Sequence, residues 1–229
     1  MYKRQQFSQK RLATTYLYHL GYSALLQGGY RPGIEVAVIG FGALGYTSAN
    51  LVTAFGGSPL ILSGRSLIGG ALEYIPFSRA ASKVSGEVPY RSIAGLDGAD
   101  LVINTSDSWE DYELSLKTVR RGGTVMLIGF PGRGLEAPTF NPLDSQFLYD
   151  KAITISQIGN YPNIDVPPID LRFTLKRNLA HIYSLLETGR LDPTPLLRTE
   201  FAGTNLEAAY KFLENRPDDS LSAILDWTC

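Results

Sequence analysis

The chain has 229 residues, 21 Lys and Arg against 22 Asp and Glu, and a formal net charge of -1. So even a balance argues against nucleic acid or an anionic membrane surface as the main partner, since both are gripped by clustered positive charge. A single cysteine, Cys229, allows no internal disulfide and no thiolate metal cage, and the expectation is a soluble protein of the reducing cytoplasm.

Met1-Tyr2-Lys3-Arg4-Gln5 is what GTG-TAT-AAG-AGA-CAG encodes when GTG is read as a start. That DNA resembles a transposon end used to tag sequencing libraries. Residues 1–5 are therefore expected to be adapter-derived, with natural sequence from near Gln6, the alternative being an ordinary basic amino terminus. Residues 6–33 read as a linking helix and turn, the apolar run Ala13 to Gln27 closing on Gly28-Gly29 and Arg31-Pro32-Gly33.

Between residues 34 and 160 strand and helix patterns alternate. Glu35 to Ile39 is a first strand, Ala43 to Phe55 a helix stopped by Gly56-Gly57, and Pro59 to Ser63 a second strand. No charge falls between Glu35 and Arg65, but glycines and Pro59 break that run too often for a spanning helix. Buried parallel strands on either side of a helix explain it better. Arg65 to Pro89 is poorly patterned, and is expected to hold one helix and a loop before a weak strand at Tyr90–Ile93. Leu101 to Thr105 is a strand. Ser108 then caps a helix whose Trp109, Tyr112, Leu116 and Val119 share one core-facing stripe. Gly122-Gly123 is expected to end that helix, and Thr124 to Ile128 forms the next strand. A long loop from Gly129 to Asp150 follows, then a short strand at Ile153 to Gln157.

Residues 161–229 change character: an amphipathic helix through Leu171–Leu186 ended by Gly189, a shorter helix through Leu206–Leu213, and a terminal strand at Ser222–Trp227. The pattern specifies an α/β fold, a Rossmann-type doubly wound parallel sheet with a C-terminal helical and strand appendage.

Gly40-Phe41-Gly42-Ala43-Leu44-Gly45 is a G-x-G-x-x-G between a strand and a helix. Such a turn lets Gly40 bend the chain, Gly42 admit a pyrophosphate and Gly45 pack helix on strand, with the helix N-terminus facing the anion. An NAD site places Asp or Glu at the end of the second strand. Here Ser63-Gly64-Arg65-Ser66 stands there, with no carboxylate until Glu73, so NADP is expected before NAD. None of the 13 tyrosines is followed four positions later by Lys, which removes the short-chain dehydrogenase reading. His19, before the glycine turn, is expected to be a packing residue with a nicotinamide-facing role as the lesser alternative. His181 is expected on the surface. No metal-ligand spacing and no Ser–His–acid arrangement is visible, and the catalytic residues stay unassigned.

Beyond these motifs the chain resembles the cofactor-binding half of the medium-chain, zinc-type alcohol dehydrogenase family. The likeness is carried by LGYSALLQGGYRPG before EVAVIGFGALG, then GADLVINTS, RRGGTVMLIGFPGRG, LLETGRLDPTPLL, LEAAYKFLENR and AILDW. It implies hydride transfer between a nicotinamide cofactor and an alcohol, carbonyl or activated alkene. Gly40, Gly42, Ala43, Leu44 and Gly45 would then lie at the pyrophosphate and Ser63 and Arg65 at the adenosine ribose. Thr105, Ser106, Gly129 and Phe130 would lie about the nicotinamide.

Family members are longer, with an amino-terminal domain that carries the catalytic zinc. The resemblance therefore implies a truncated copy, with residues 161–229 packing on the missing domain. The zinc-dependent members often place a Cys or Glu where this chain has Thr15 or Tyr16, so zinc is not expected in this chain. The apolar sides of the Tyr16–Leu26 helix and of the AILDW strand would be left exposed. A homodimer through the strands around TVMLI is an expectation by analogy. A stand-alone, non-catalytic dinucleotide-binding module is the main rival. An S-adenosylmethionine-dependent methyltransferase is disfavoured by the missing acid after the second strand.

Overall fold

The computed structural model describes residues 9–64, 68–82, 98–159, 161–163, 167, 169, 171–215 and 220–227. A six-stranded, all-parallel sheet forms its centre. The strands are β1 (Val36–Ile39), β2 (Leu60–Ser63), β3 (Arg79–Ser82), β4 (Ala99–Asn104), β5 (Val119–Leu127) and β6 (Thr154–Gln157), in the order β3-β2-β1-β4-β5-β6. The sheet is doubly wound, as expected from the sequence, and its strand order reverses between β1 and β4.

Two hydrophobic cores sandwich the sheet, and the strand period of two divides side chains between them. Val36, Val38, Ile61, Leu101, Ile103 and Met126 enter one core. Ala37, Ile39, Leu60, Leu62, Val102 and Val125 enter the other. Because both faces are covered, these strands read as unbroken apolar runs. The first core is roofed by α2 (Thr15–Gln27), preceded by the short α1 (Gln9–Ala13), and by α3 (Ala43–Ala54) and α5 (Leu175–Glu187). The second is roofed by α4 (Trp109–Thr118) together with Phe147 and Ile153.

Local chemistry sets the helix ends. Ser108 Oγ accepts the Asp111 amide at 3.1 Å, Glu110 and Asp111 occupy the first turn of α4, and Lys151 Nζ donates to the Leu116 carbonyl at 2.7 Å at the other end. Thr174 Oγ1 likewise accepts the Arg177 amide of α5 at 3.3 Å.

Several expectations need correction. Strand β3 lies inside the stretch expected to be helix and loop, preceded by a 3-10 helix at Ile68–Tyr74. Its residues, Arg-Ala-Ala-Ser, carry no β-branched signal. What places it is an Arg79 amide bond to the Pro59 carbonyl at 2.9 Å and an Arg79–Glu35 ion pair. The strand expected at Tyr90–Ile93 lies outside the described residues. Helix α4 stops at Thr118, and β5 runs through Gly122-Gly123 rather than beginning after it. Gly122 has φ +69 and its amide donates to the Lys151 carbonyl, so the glycines mark an irregularity in a strand instead of a helix stop.

The exposed face expected of the Tyr16–Leu26 helix is also absent: Tyr18, Tyr22, Ala24 and Leu25 are buried beneath α3 and α5, leaving Tyr16 outside. Gly21 permits the close approach of α2 to α3, since a Cβ there would stand 3.0 Å from the Ser48 Cα.

The appendage contains α5, a two-stranded parallel sheet of β7 (Thr199–Ala202) and β8 (Ala223–Asp226), and α6 (Leu206–Glu214). Strand β7 had no counterpart in the sequence reading. Trp227 is 71% exposed and Tyr210 61% exposed. A buried polar knot ties the appendage to the core. The Asp192 carbonyl accepts from Tyr46 at 2.5 Å, and Tyr18 donates to Asn50 Oδ1 at 2.9 Å with its hydroxyl 3.0 Å from the same carbonyl.

Candidate functional site

Beyond the carboxyl ends of β2, β1, β4 and β5 lies a cavity of about 810 Å³. It sits at the reversal of strand order, where the turns on its two sides lead away in opposite directions and open a crevice. Residues 40–44 border it after β1, residues 63–64 after β2, residues 105–108 with Asp111 after β4, and Arg133 and Leu135 after β5.

The glycine turn is built by contacts on three sides. Gly40 has φ +90, and its amide donates to the Leu62 carbonyl at 2.9 Å. Thr105 donates both its amide and its hydroxyl to the Ile39 carbonyl at 3.0 Å, and the hydroxyl occupies the space beside Gly40. Gly45 sits behind the turn: a Cβ on it would stand 2.1 Å from the Gly40 carbonyl oxygen. A Cβ on Gly42 would meet nothing within 4 Å. Gly42 is also the N-cap of α3 and offers no side-chain cap, so the first amides of that helix face a cavity with the positive end of the dipole. A phosphate group fits such a cradle.

Asn104, fully buried at the end of β4, shapes the opposite wall. Its Oδ1 accepts the Ser106 amide at 2.8 Å, its Nδ2 donates to Ser115 Oγ at 3.0 Å, and its carbonyl accepts the Ile128 amide at 2.8 Å. The loop after β5 is stitched to the turn that Asn104 holds. Phe130 donates its amide to Asp107 Oδ1 at 2.7 Å, Gly132 donates to the Asp107 carbonyl at 2.8 Å, and the Trp109 indole donates to the Glu136 carbonyl at 2.9 Å. Trp109 is thus half-buried and joins Tyr112 and Phe140 in an aromatic cluster at the side of the crevice.

Of the residues singled out from sequence, Gly40, Gly42, Ala43, Leu44, Ser63, Thr105 and Ser106 border this cavity. Gly45 lies behind it. Gly129 packs against the Ser106 carbonyl, and Phe130 lines a neighbouring apolar recess of about 500 Å³. Arg65 lies outside the described residues. Asp107, Ser108, Asp111, Arg133 and Leu135 were not foreseen. Their signal was adjacency to Thr105-Ser106 and to Gly129-Phe130, but nothing in the sequence said that the two turns meet.

His19 is buried on α2, with its ring against Tyr16 and Tyr161, its Nε2 3.4 Å from Ser23 Oγ and its Nδ1 without a partner among the described residues. Burial holds its imidazole below the ordinary value. It does not border the cavity. His181 is exposed as expected, though its ring lies against Tyr22 and Phe55. Thr15 and Tyr16 open α2, and among the described residues no three His, Cys, Asp or Glu cluster to hold a metal. Nor is any described helix long and apolar enough to cross a membrane.

Comparison with known proteins follows the same lines. The chain is 31% identical over 149 residues to NADP-dependent alcohol dehydrogenase C 1 of Mycolicibacterium smegmatis, covering 62% of this chain and 38% of that protein. It is 26% identical over 205 residues to a putative D-xylulose reductase of Rhizobium meliloti, covering 87% of this chain and 53% of that one. The fold superposes on L-idonate 5-dehydrogenase of Escherichia coli with a TM-score of 0.74 at 18% identity, over 94% of this chain and 56% of that one. The chain is thus similar, in sequence and in fold, to alcohol and polyol dehydrogenases. No family model matches it. It spans about half the length of the curated relatives it matches.

Proposed function

We propose that the chain is the dinucleotide-binding portion of a medium-chain alcohol dehydrogenase-like oxidoreductase, taking NADP(H) and serving hydride transfer between the cofactor and a small alcohol or carbonyl substrate. The observation that carries this reading is the glycine turn. Gly40 is bent to positive φ, Gly45 is locked behind it and Gly42 faces open space at the mouth of a cavity at the sheet's switch point. The nicotinamide, when bound, supplies or accepts the hydride. This chain's own residues hold it. The turn and the α3 N-terminus take the pyrophosphate, Ser63 and Arg65 the adenosine end, and the Thr105–Ser106 and Gly129–Phe130 turns the nicotinamide end. In this reading residues 34–160 form the binding domain, and residues 161–229 present Tyr210 and Trp227 to a catalytic domain.

The preference for NADP(H) rests on Ser63-Gly64-Arg65 in place of an acidic residue, and is in keeping with the NADP-dependent relative in Mycolicibacterium. Titration of the protein with NADPH and NADH tests both parts. Arg65→Ala is expected to weaken NADPH binding by about 10- to 100-fold, the worth of a charge-assisted hydrogen bond, and to leave NADH binding nearly unchanged. Equal losses for both would refute the 2′-phosphate assignment, and no binding of either would refute the dinucleotide reading.

A further inference from the structure

The described wall of the cavity carries two acids, Asp107 and Asp111, and one cation, Arg133. A dinucleotide brings further negative charge to this place, and two carboxylates beside it are unfavourable unless a cation intervenes. Arg133 is placed to intervene. It lies on the loop after β5, exposed, with its guanidinium carbon 5.3 Å from the centroid of the Phe130 ring. No carboxylate pairs with it among the described residues. The guanidinium carries five N–H donors, and a contact with an aromatic ring leaves donors available for an anion.

The loop is itself fixed. Asp107 accepts the Phe130 amide through its carboxylate and the Gly132 amide through its carbonyl, and Gly132 lies so close to the Trp109 ring that a Cβ would stand 2.1 Å from it. Asp107 therefore spends one carboxylate oxygen on positioning the segment that carries the opposing charge.

Resting on the dinucleotide reading above, we propose that Arg133 binds the cofactor's pyrophosphate, closing on it from the β5 side while the glycine turn holds it from the β1 side. The strand order sets the side from which it approaches. The adenosine end belongs beside Ser63 at β2, and β1 and β4 stand between β2 and β5. Arg133, on the β5 side, borders the same cavity as the glycine turn, on the flank opposite the 2′-phosphate. The planar guanidinium also suits two phosphate oxygens at once, which a lysine ammonium does not.

The test is calorimetric titration of wild type, Arg133→Gln and Arg133→Lys with NADPH, NADH, ADP, 2′-AMP and adenosine. The expected result is a loss of about 10- to 100-fold in Arg133→Gln for NADPH, NADH and ADP alike, with Lys intermediate and adenosine and 2′-AMP unaffected. The affinity of wild type for ADP should also fall more steeply with salt than that of Arg133→Gln. Wild-type affinity of Arg133→Gln for ADP would overturn the proposal and leave the dinucleotide reading standing. Loss confined to NADPH and 2′-AMP would also overturn it, by assigning Arg133 to the 2′-phosphate. Failure of wild type to bind any of the five would remove the dinucleotide reading and the proposal together.

Discussion

Two glycines three residues apart in the same turn should respond to the same substitution in opposite ways. At Gly45 a methyl group would stand 2.1 Å from the Gly40 carbonyl oxygen and 2.9 Å from the carbonyl carbon, both backbone atoms that cannot rotate aside. Helix α3 and the turn must then part by roughly an ångström, and overpacking of this kind costs about 1–3 kcal/mol. Replacing Gly by Ala within a helix returns about 0.5–1 kcal/mol, less in the first turn, so Gly45→Ala should be destabilised by about 1–2 kcal/mol. For a chain of this size that is a fall in Tm of about 2–8 °C.

At Gly42 the backbone is extended, with φ -88 and ψ -162, and nothing lies within 4 Å of an added Cβ. Loss of a glycine N-cap and the stiffer unfolded chain nearly cancel, so Gly42→Ala should stay within about 1 kcal/mol of wild type. Its methyl group would stand where phosphate oxygens approach, and NADPH affinity should fall by about tenfold or more. Thermal and urea unfolding followed by circular dichroism, with calorimetric titration of NADPH, separates the two responses. Wild-type NADPH affinity in Gly42→Ala would refute the turn as a pyrophosphate cradle. Wild-type stability in Gly45→Ala would refute the close packing of α3 on the turn.

Tyr18→Phe removes a buried hydroxyl that donates to Asn50 Oδ1 and sits beside the Asp192 carbonyl, and should destabilise the protein by about 1–3 kcal/mol in urea titration. A change below about 0.5 kcal/mol would mean that the knot does not tie the appendage to the core. Stability should also depend on pH through His19, whose imidazole burial holds below its ordinary value of 6.5. The unfolded chain then binds more protons than the folded one once pH drops below about 6.5, so stability is full above that value and declines as pH falls towards the folded value. His181, lowered by burial and by the Arg190 charge, acts in the same sense. His19→Gln should flatten the decline between about pH 7 and pH 5, and an unchanged slope would refute the assignment.

What was legible in the sequence was what local chemistry dictates. The strands EVAVI, PLILS, LVINT and TVMLI are β-branched and apolar because both their faces are buried, so each announces itself in isolation. Ser108 with Glu110 and Asp111 marks the start of α4 because capping is a matter of three or four neighbouring residues. The order of strands and helices, with Gly40, Gly42 and Gly45 between the first pair, was sufficient to name the sheet and its dinucleotide-type turn.

Strands β3 and β7 escaped notice because their pairing comes from partners distant in sequence: Arg79 meets Pro59 and Glu35, and Thr199 pairs in register with Ala223. The burial of α2 escaped for the same reason, since its partners α3 and α5 follow it in the chain by many residues. The sequence by itself determined that a dinucleotide-type turn exists and which strands flank it, because a bend to positive φ and an approach closer than a Cβ permits both demand glycine at that one place. Only the tertiary structure decided what faces the turn. Asp107, Asp111 and Arg133 belong to two loops that meet at the carboxyl edge of β4 and β5, and the hydrogen bond from Phe130 to Asp107 that joins those loops leaves no pattern along the chain.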